Sequence, residues 1–144
     1  MQSILKILTK YALHIALIQA WLASLGSLFY SQIVGLVPCH LCWYQRILMY
    51  PLVIILPIAL LRKDKGVAYY VLPLSVIGTL IAFYQYLLQM TPLKAAELTK
   101  CDLVNPCSKI DAIYFGFITI PFMSLLAFLV ISFMMFLLIK SKKQ

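Results

Sequence analysis

Cys39 and Cys42 are separated by two residues, and Arg46 follows the second cysteine at a spacing of four. Cys101 and Cys107, with five residues between them, complete the chain's four cysteines. Thiols spaced like this do one of three kinds of work: they brace loops as inert disulfides, bind a metal as thiolates, or exchange electrons. Bracing suits Cys101 and Cys107, because a loop with five intervening residues closes readily. It suits Cys39 and Cys42 poorly, since two intervening residues make a strained ring, and strained or exposed disulfides are the labile ones. Structural zinc sites use shorter, regular ligand spacings than this combination of two and five, so no metal is expected.

Electron exchange gives the surroundings of Cys42 a physical purpose. An apolar segment begins there, placing Cys42 at the N-terminal end of a helix, where unpaired amides and the helix dipole favour an anion. Arg46 is one helical turn further along the same face. Both features favour the thiolate, the form of cysteine that attacks disulfides and donates electrons. Arg46 also suits an interfacial anchor, a role compatible with the first. Trp43 and Tyr44 suit an aromatic belt at a membrane surface.

The elements that must hold these groups are membrane helices. Apolar residues make up 64% of the 144-residue chain, and the mean hydropathy is +0.99. No Asp, Glu, Lys or Arg occurs between Lys10 and Arg46, between Lys65 and Lys94, or between Asp111 and Lys140. A hydrocarbon layer of about 30 Å needs about 20 helical residues, so each gap accommodates a span. Arg46 and Arg62 are closer together, but residues 42–44 and snorkelling of both arginines make that stretch long enough. The expected fold is therefore all-α: a single integral membrane domain over residues 1–144, an antiparallel four-helix bundle with spans at about 11–30, 42–61, 67–88 and 115–139. The first apolar run is too long for a cleaved signal peptide and reads as a retained span.

Orientation follows from the basic residues. Lys6 and Lys10 precede the first span, Arg62, Lys63 and Lys65 fill the turn after the second, and Lys140, Lys142 and Lys143 follow the fourth. The 31–41 loop has no formal charge, and the three lysines of the 89–112 loop are balanced by Glu97, Asp102 and Asp111. The positive-inside rule then makes both termini cytoplasmic and turns both cysteine-bearing loops outward, where disulfides persist. The net charge of +8 is spent on topology. It forms no aromatic-studded groove, so nucleic acid is not an expected partner; membrane lipid is.

The remaining polar residues carry less information. His14 and Gln19 in the first span are expected to face neighbouring helices and hydrogen-bond there. Thr91-Pro92 reads as the start of a short interfacial helix over 93–98. Asn105-Pro106 marks a turn between the second pair of cysteines. A redox pair at a membrane surface must also discard its electrons. The chain has no haem-attachment Cys-x-x-Cys-His and no glycine-rich nucleotide loop, so a lipid-soluble acceptor is the simple choice. Quinones fit, with Arg46 able to stabilise charge on a reduced ring oxygen.

Pro38-Cys39-His40-Leu41-Cys42-Trp43-Tyr44-Gln45-Arg46-Ile47-Leu48-Met49-Tyr50-Pro51 and Phe115-Gly116-Phe117-Ile118-Thr119-Ile120-Pro121-Phe122 resemble the DsbB family of disulfide bond formation proteins, and most closely its short BdbC-type members. The resemblance covers nearly the whole chain. It implies an enzyme of the bacterial cell membrane that reoxidises an extracytoplasmic, thioredoxin-fold DsbA-type thiol oxidase and passes the electrons to a quinone, either menaquinone or ubiquinone. By the same resemblance, Cys101–Cys107 exchanges with the partner, Cys39 receives the exchange from that outer pair, and Cys42, beside Arg46, is the quinone-facing cysteine. Gln85 stands where relatives often have a histidine near the quinone; glutamine can donate a hydrogen bond there but cannot titrate. The outer pair is more closely spaced here than in the longer family members. A vitamin K epoxide reductase-like protein is disfavoured because its Cys-x-x-Cys follows the loop pair. A membrane scaffold or immunity-type protein with purely structural disulfides is the alternative from another class, and it leaves the pairing of Cys42 with Arg46 unexplained.

Overall fold

In a bilayer the backbone must satisfy its own hydrogen bonds, and four long apolar stretches answer that demand with four helices. The computed structural model describes residues 2–90, 113–114, 116 and 118–142. The helices are α1 (Gln2–Leu28), α2 (His40–Leu61), α3 (Ala68–Met90) and α4 (Ile120–Lys142). Each contributes a stretch long and apolar enough to cross a membrane. Contacts join α1 to α2, α2 to α3 and α3 to α4, and α4 closes back on α1. The chain is a multi-pass membrane protein built as a four-helix bundle. The expected helix at 93–98, and with it Cys101 and Cys107, lies outside the described residues.

The outside of the bundle is as apolar as the inside. Leu61 is 84% exposed and Ile33 74%, an arrangement that hydrocarbon solvates and water does not. Packing inside is set by residue size. Ala12, Ala16, Ala20 and Ser24 recur every four residues on α1 and are all buried, which lets a neighbouring helix approach closely. Phe128, Ile131 and Met135 of α4 supply bulk to the same core. Gly78 of α3 makes room for Phe128: a β-carbon at position 78 would run into its ring. A short polar chain ties α3 to α4 within this core. Ser132 donates to Ser75 Oγ at 2.9 Å, and Ser75 Oγ donates to the Leu72 carbonyl at 2.9 Å.

The connections are compact. At the end of α2, Lys63 adopts a left-handed backbone (φ 52°), and the Asp64 amide reaches back to the Ala59 carbonyl at 2.9 Å. That is a Schellman-type stop with lysine in the place glycine usually takes. Asp64 then accepts from the Gly66 amide at 2.7 Å and caps a 3₁₀ turn, Lys65–Val67, leading into α3. At the other end of the bundle α1 passes into a π-helical turn, Phe29–Ile33. The segment before α4 differs from the fourth span expected from residue 115. Strands β1 (Ile113–Tyr114) and β2 (Ile118–Thr119) pair antiparallel, Ile113 with Thr119 and Tyr114 with Ile118. Gly116 at φ 83° supplies the reversal that an L side chain resists, so helix begins only at Ile120. His14 also departs from its expected place in a helix seam: it is exposed and sits edge-on to Tyr11, ring centroids 6.0 Å apart.

The Gly78–Phe128 contact makes a quantitative expectation. Gly78→Ala should destabilise the bundle by about 1–3 kcal/mol, the usual cost of overpacking. Combining it with Phe128→Leu should recover a good part of that loss. Thermal unfolding of the detergent-solubilised variants measures both.

Candidate functional site

Pro38 fixes the approach of the chain, and Cys39 takes an extended backbone (φ −70°, ψ 170°) as the N-cap of α2. Its carbonyl accepts the first helical bond, from the Trp43 amide at 3.1 Å. Two intervening residues then bring Cys42 back beneath Cys39 in the first helical turn. The sulfurs are 3.1 Å apart, unbonded, with Cys39 donating to Cys42. That hydrogen bond, and secondarily burial, push the Cys39 thiol well above the usual range. Leu41 and Leu88 pack over this end of the bundle, with Ile81 and Tyr84 against them.

α3 supplies the next layer. Gln85, 1% exposed, donates from Nε2 to both sulfurs, at 3.2 Å each. Its Oε1 accepts from Gln45 Nε2 of α2 at 2.7 Å. Gln45 is itself buried, one turn beyond Cys42. Arg46 is held from α1: its Nε donates to Ser27 Oγ at 2.8 Å and its Nη2 to the Ser27 carbonyl at 2.9 Å. The guanidinium carbon also lies 5.6 Å from the centroid of the Trp43 ring, within cation–π range.

These groups border a cavity of about 270 Å³ between α1, α2, α3 and the start of α4. Cys39, Cys42, Arg46 and Gln85 all line it, so four of the six site residues expected from the sequence come together. Cys101 and Cys107 lie outside the described residues. Most of the lining is apolar, including Leu22, Met49 and Ala127. Among the described residues, however, the buried hydroxyl oxygens of Ser24, Tyr50 and Thr119 have no hydrogen-bond partner, and all three residues line the same space. Buried hydroxyls left unpaired cost free energy, so this end of the bundle suits a ligand that is mostly apolar and carries hydrogen-bonding oxygens.

Several of these residues escape a reading of the sequence. Ser27 is one small residue among many near the end of α1, and nothing local marks it as the seat of an arginine. Ser24, Tyr50 and Thr119 are equally anonymous. Gln45 does carry a signal: it is an amide inside an apolar span, three residues after Cys42.

A bundle of four membrane-length helices with two facing thiols over a polar-studded cavity has the construction of a membrane thiol–disulfide protein. The family model of the disulfide bond formation protein DsbB matches residues 9–138, and the chain belongs to that family. It is 47% identical over 131 residues to a probable disulfide formation protein of Coxiella burnetii, covering 90% of this chain and 88% of the other. A probable disulfide formation protein of Oceanobacillus iheyensis is 49% identical over 138 residues, 94% of both chains. The SPbeta prophage-derived disulfide bond formation protein B of Bacillus subtilis is 46% identical over 140 residues, covering 94% and 93%. No solved structure matches the chain.

The hydrogen bond between the sulfurs predicts unequal thiols. In the reduced protein Cys39 should resist alkylation by iodoacetamide well above the pH at which a free cysteine reacts, because its proton is held by Cys42. Cys42→Ala removes the principal cause and should move Cys39 alkylation to lower pH. Mass spectrometry across a pH series reads both.

Proposed function

We propose that this protein is a membrane oxidoreductase that reoxidises an extracytoplasmic, DsbA-type thiol oxidase and delivers the electrons to a membrane quinone, sustaining disulfide formation in secreted proteins. The observation that carries the proposal is the reactive pair itself: two facing thiols at a helix start, opening on a cavity that Arg46 also lines. Membership of the disulfide-forming family supports the general activity. The direction of electron flow, the quinone and the partner are the proposal's own content.

In this scheme the partner's two thiols reduce a Cys101–Cys107 disulfide through a mixed disulfide, leaving the partner oxidised and two thiols on this chain. Cys101 and Cys107 then reduce a Cys39–Cys42 disulfide by the same exchange and recover their own bond. Each exchange breaks one S–S bond and forms one, with the protons passing to the departing thiolates. Cys39 takes the incoming attack, and Cys42 becomes the thiolate on the cavity side. Arg46, held in place by Ser27 through Nε and Nη2, supplies positive charge to the same cavity. The cavity fits a quinone head in kind, since its walls are apolar and three unpartnered hydroxyls from Ser24, Tyr50 and Thr119 await oxygen acceptors or donors. Bound there, a quinone supplies an acceptor for two electrons and two protons. The basic residues at the N-terminus, the 62–65 turn and the C-terminus support a bacterial plasma-membrane orientation with the cysteines outside.

Anaerobic mixing of the purified protein with a reduced DsbA-type partner and a soluble quinone tests the scheme. Quinone absorbance should fall with wild type, only when the partner is present, and should not fall with Cys42→Ser. Arg46→Gln should retain thiol exchange with the partner but lose at least tenfold in quinone reduction. A Cys39–Cys42 bond that resists mild reductant, with no quinone consumed, would make the disulfides mere braces and sink the enzyme reading.

A further inference from the structure

The quinone relay assigns chemistry to the cysteines and to Arg46, but it does not account for a pair of buried amides beside them. Gln45 and Gln85 face one another across the α2–α3 seam, 7% and 1% exposed. An amide in such surroundings is costly unless its donors and acceptors are matched. The matching here is directional. Gln85 has one oxygen and one nitrogen at the end of its side chain, and the Gln45 N–H at 2.7 Å occupies the oxygen. The nitrogen is thereby turned toward the sulfurs, and it reaches both at 3.2 Å. Reversing the Gln85 amide would aim its oxygen at the sulfur pair and set its NH₂ against that of Gln45. The orientation of each amide is thus tied to that of the other, and the sulfurs, as acceptors, select the arrangement seen.

We propose that Gln85 is a positioning residue that stabilises the reduced Cys39–Cys42 pair over its disulfide, and that Gln45 acts through Gln85 by holding its amide in the donating orientation. The reason lies in what sulfur can accept. A thiolate is a strong acceptor because hydrogen bonds to charged groups are about twice as strong as neutral ones. A disulfide sulfur carries no charge to reward the donor. An N–H shared between two sulfurs therefore favours the dithiol state, and the pair becomes a better electron acceptor from whatever thiols reach it. Glutamine does this without titrating, so the donor itself is unchanged by pH, as a histidine would not be.

The inference rests on the redox reading of Cys39–Cys42 given above, but its test needs neither quinone nor partner. With Cys101 and Cys107 replaced by serine, the protein is equilibrated against mixtures of reduced and oxidised glutathione, and the fraction of Cys39–Cys42 disulfide is read by thiol alkylation. In this equilibrium two protein thiols are oxidised to one S–S bond as one glutathione disulfide is reduced to two thiols. Gln85→Met keeps the length and volume of the side chain and removes both donors. It should shift the equilibrium about tenfold toward the protein disulfide, or about 30 mV for this two-electron couple. Gln45→Met should shift it in the same direction by about threefold, and the double variant should shift no further than Gln85→Met alone, because the first amide works only through the second. An equilibrium constant for Gln85→Met within twofold of the parent overturns the proposal, as do single effects that simply add in the double variant. If Gln85→Met does not fold, Gln45→Met decides alone: an unchanged constant overturns the role. Either failure leaves the relay standing, whereas absence of quinone reduction by the parent protein, with the expected glutathione shifts in the variants still seen, counts against the relay and not against the amides.

Discussion

Hydrocarbon outside the bundle drives most polar side chains of the spans inward, and that constraint organises the whole molecule. In water a stray glutamine or serine finds a solvent partner wherever it stands. Here Gln45, Gln85, Ser24, Ser27 and Thr119 gather at the end of the bundle where the chain also places its thiols. The other end of the same helices is closed by aliphatic packing, with Ala12, Ala16 and Ala20 letting helices approach and Phe128 filling the space Gly78 vacates. The bundle is therefore two devices joined end to end. One is a close-packed core that holds the helices in register, and the other is a polar pocket that uses this register.

The division explains what could be read in advance. Charge-free gaps and apolar length fix the number of helices, because a bilayer accepts few other solutions. The Cys-x-x-Cys pair and Arg46 are legible because helix geometry relates residues four apart on one chain segment. Gln85 could be suspected from its place in α3, but its partnership with both sulfurs and with Gln45 depends on how α2 and α3 face each other. Ser27 is further from reach. It matters only because the end of α1 lies beside the first turns of α2, and no local pattern in residues 20–30 announces that neighbour. The hairpin before α4 was obscured for a different reason: Ile118, Thr119 and Ile120 suit a strand and an apolar helix start equally well, and Gly116 alone decides where one yields to the other.

Local backbone choices and the site are coupled throughout. The N-cap of α2 is a cysteine, a residue that offers no side-chain cap bond. The position that would ordinarily secure a helix end is thus occupied by a thiol, and the first turn is flanked by Pro38, by the leucines packed over it and by Gln85 of α3, which donates to both sulfurs. At the far end of α2 the reverse holds. Lys63 accepts a left-handed backbone and Asp64 caps the turn, so stability is provided there by ordinary means where no chemistry is at stake.

The π-helical turn at Phe29–Ile33 carries a consequence of its own. In it the Val34 amide bonds the Phe29 carbonyl, five residues back, at 3.2 Å, which is geometrically the signature of one residue inserted into an α-helix. Here the extra residue falls at the end of the helix, where it shifts the point at which the chain leaves it by about 100° about the helix axis, given 3.6 residues per turn. Leu36, Val37 and Pro38, which line the cavity, leave this turn through a bend at Val34 and the left-handed backbone of Gly35 (φ 75°). Such a turn can be gained or lost by a one-codon insertion or deletion without disturbing α1 below Ser27. The wall of the pocket could thus be re-aimed in one evolutionary step while the arginine seat, the thiols and the packed core stayed where they are.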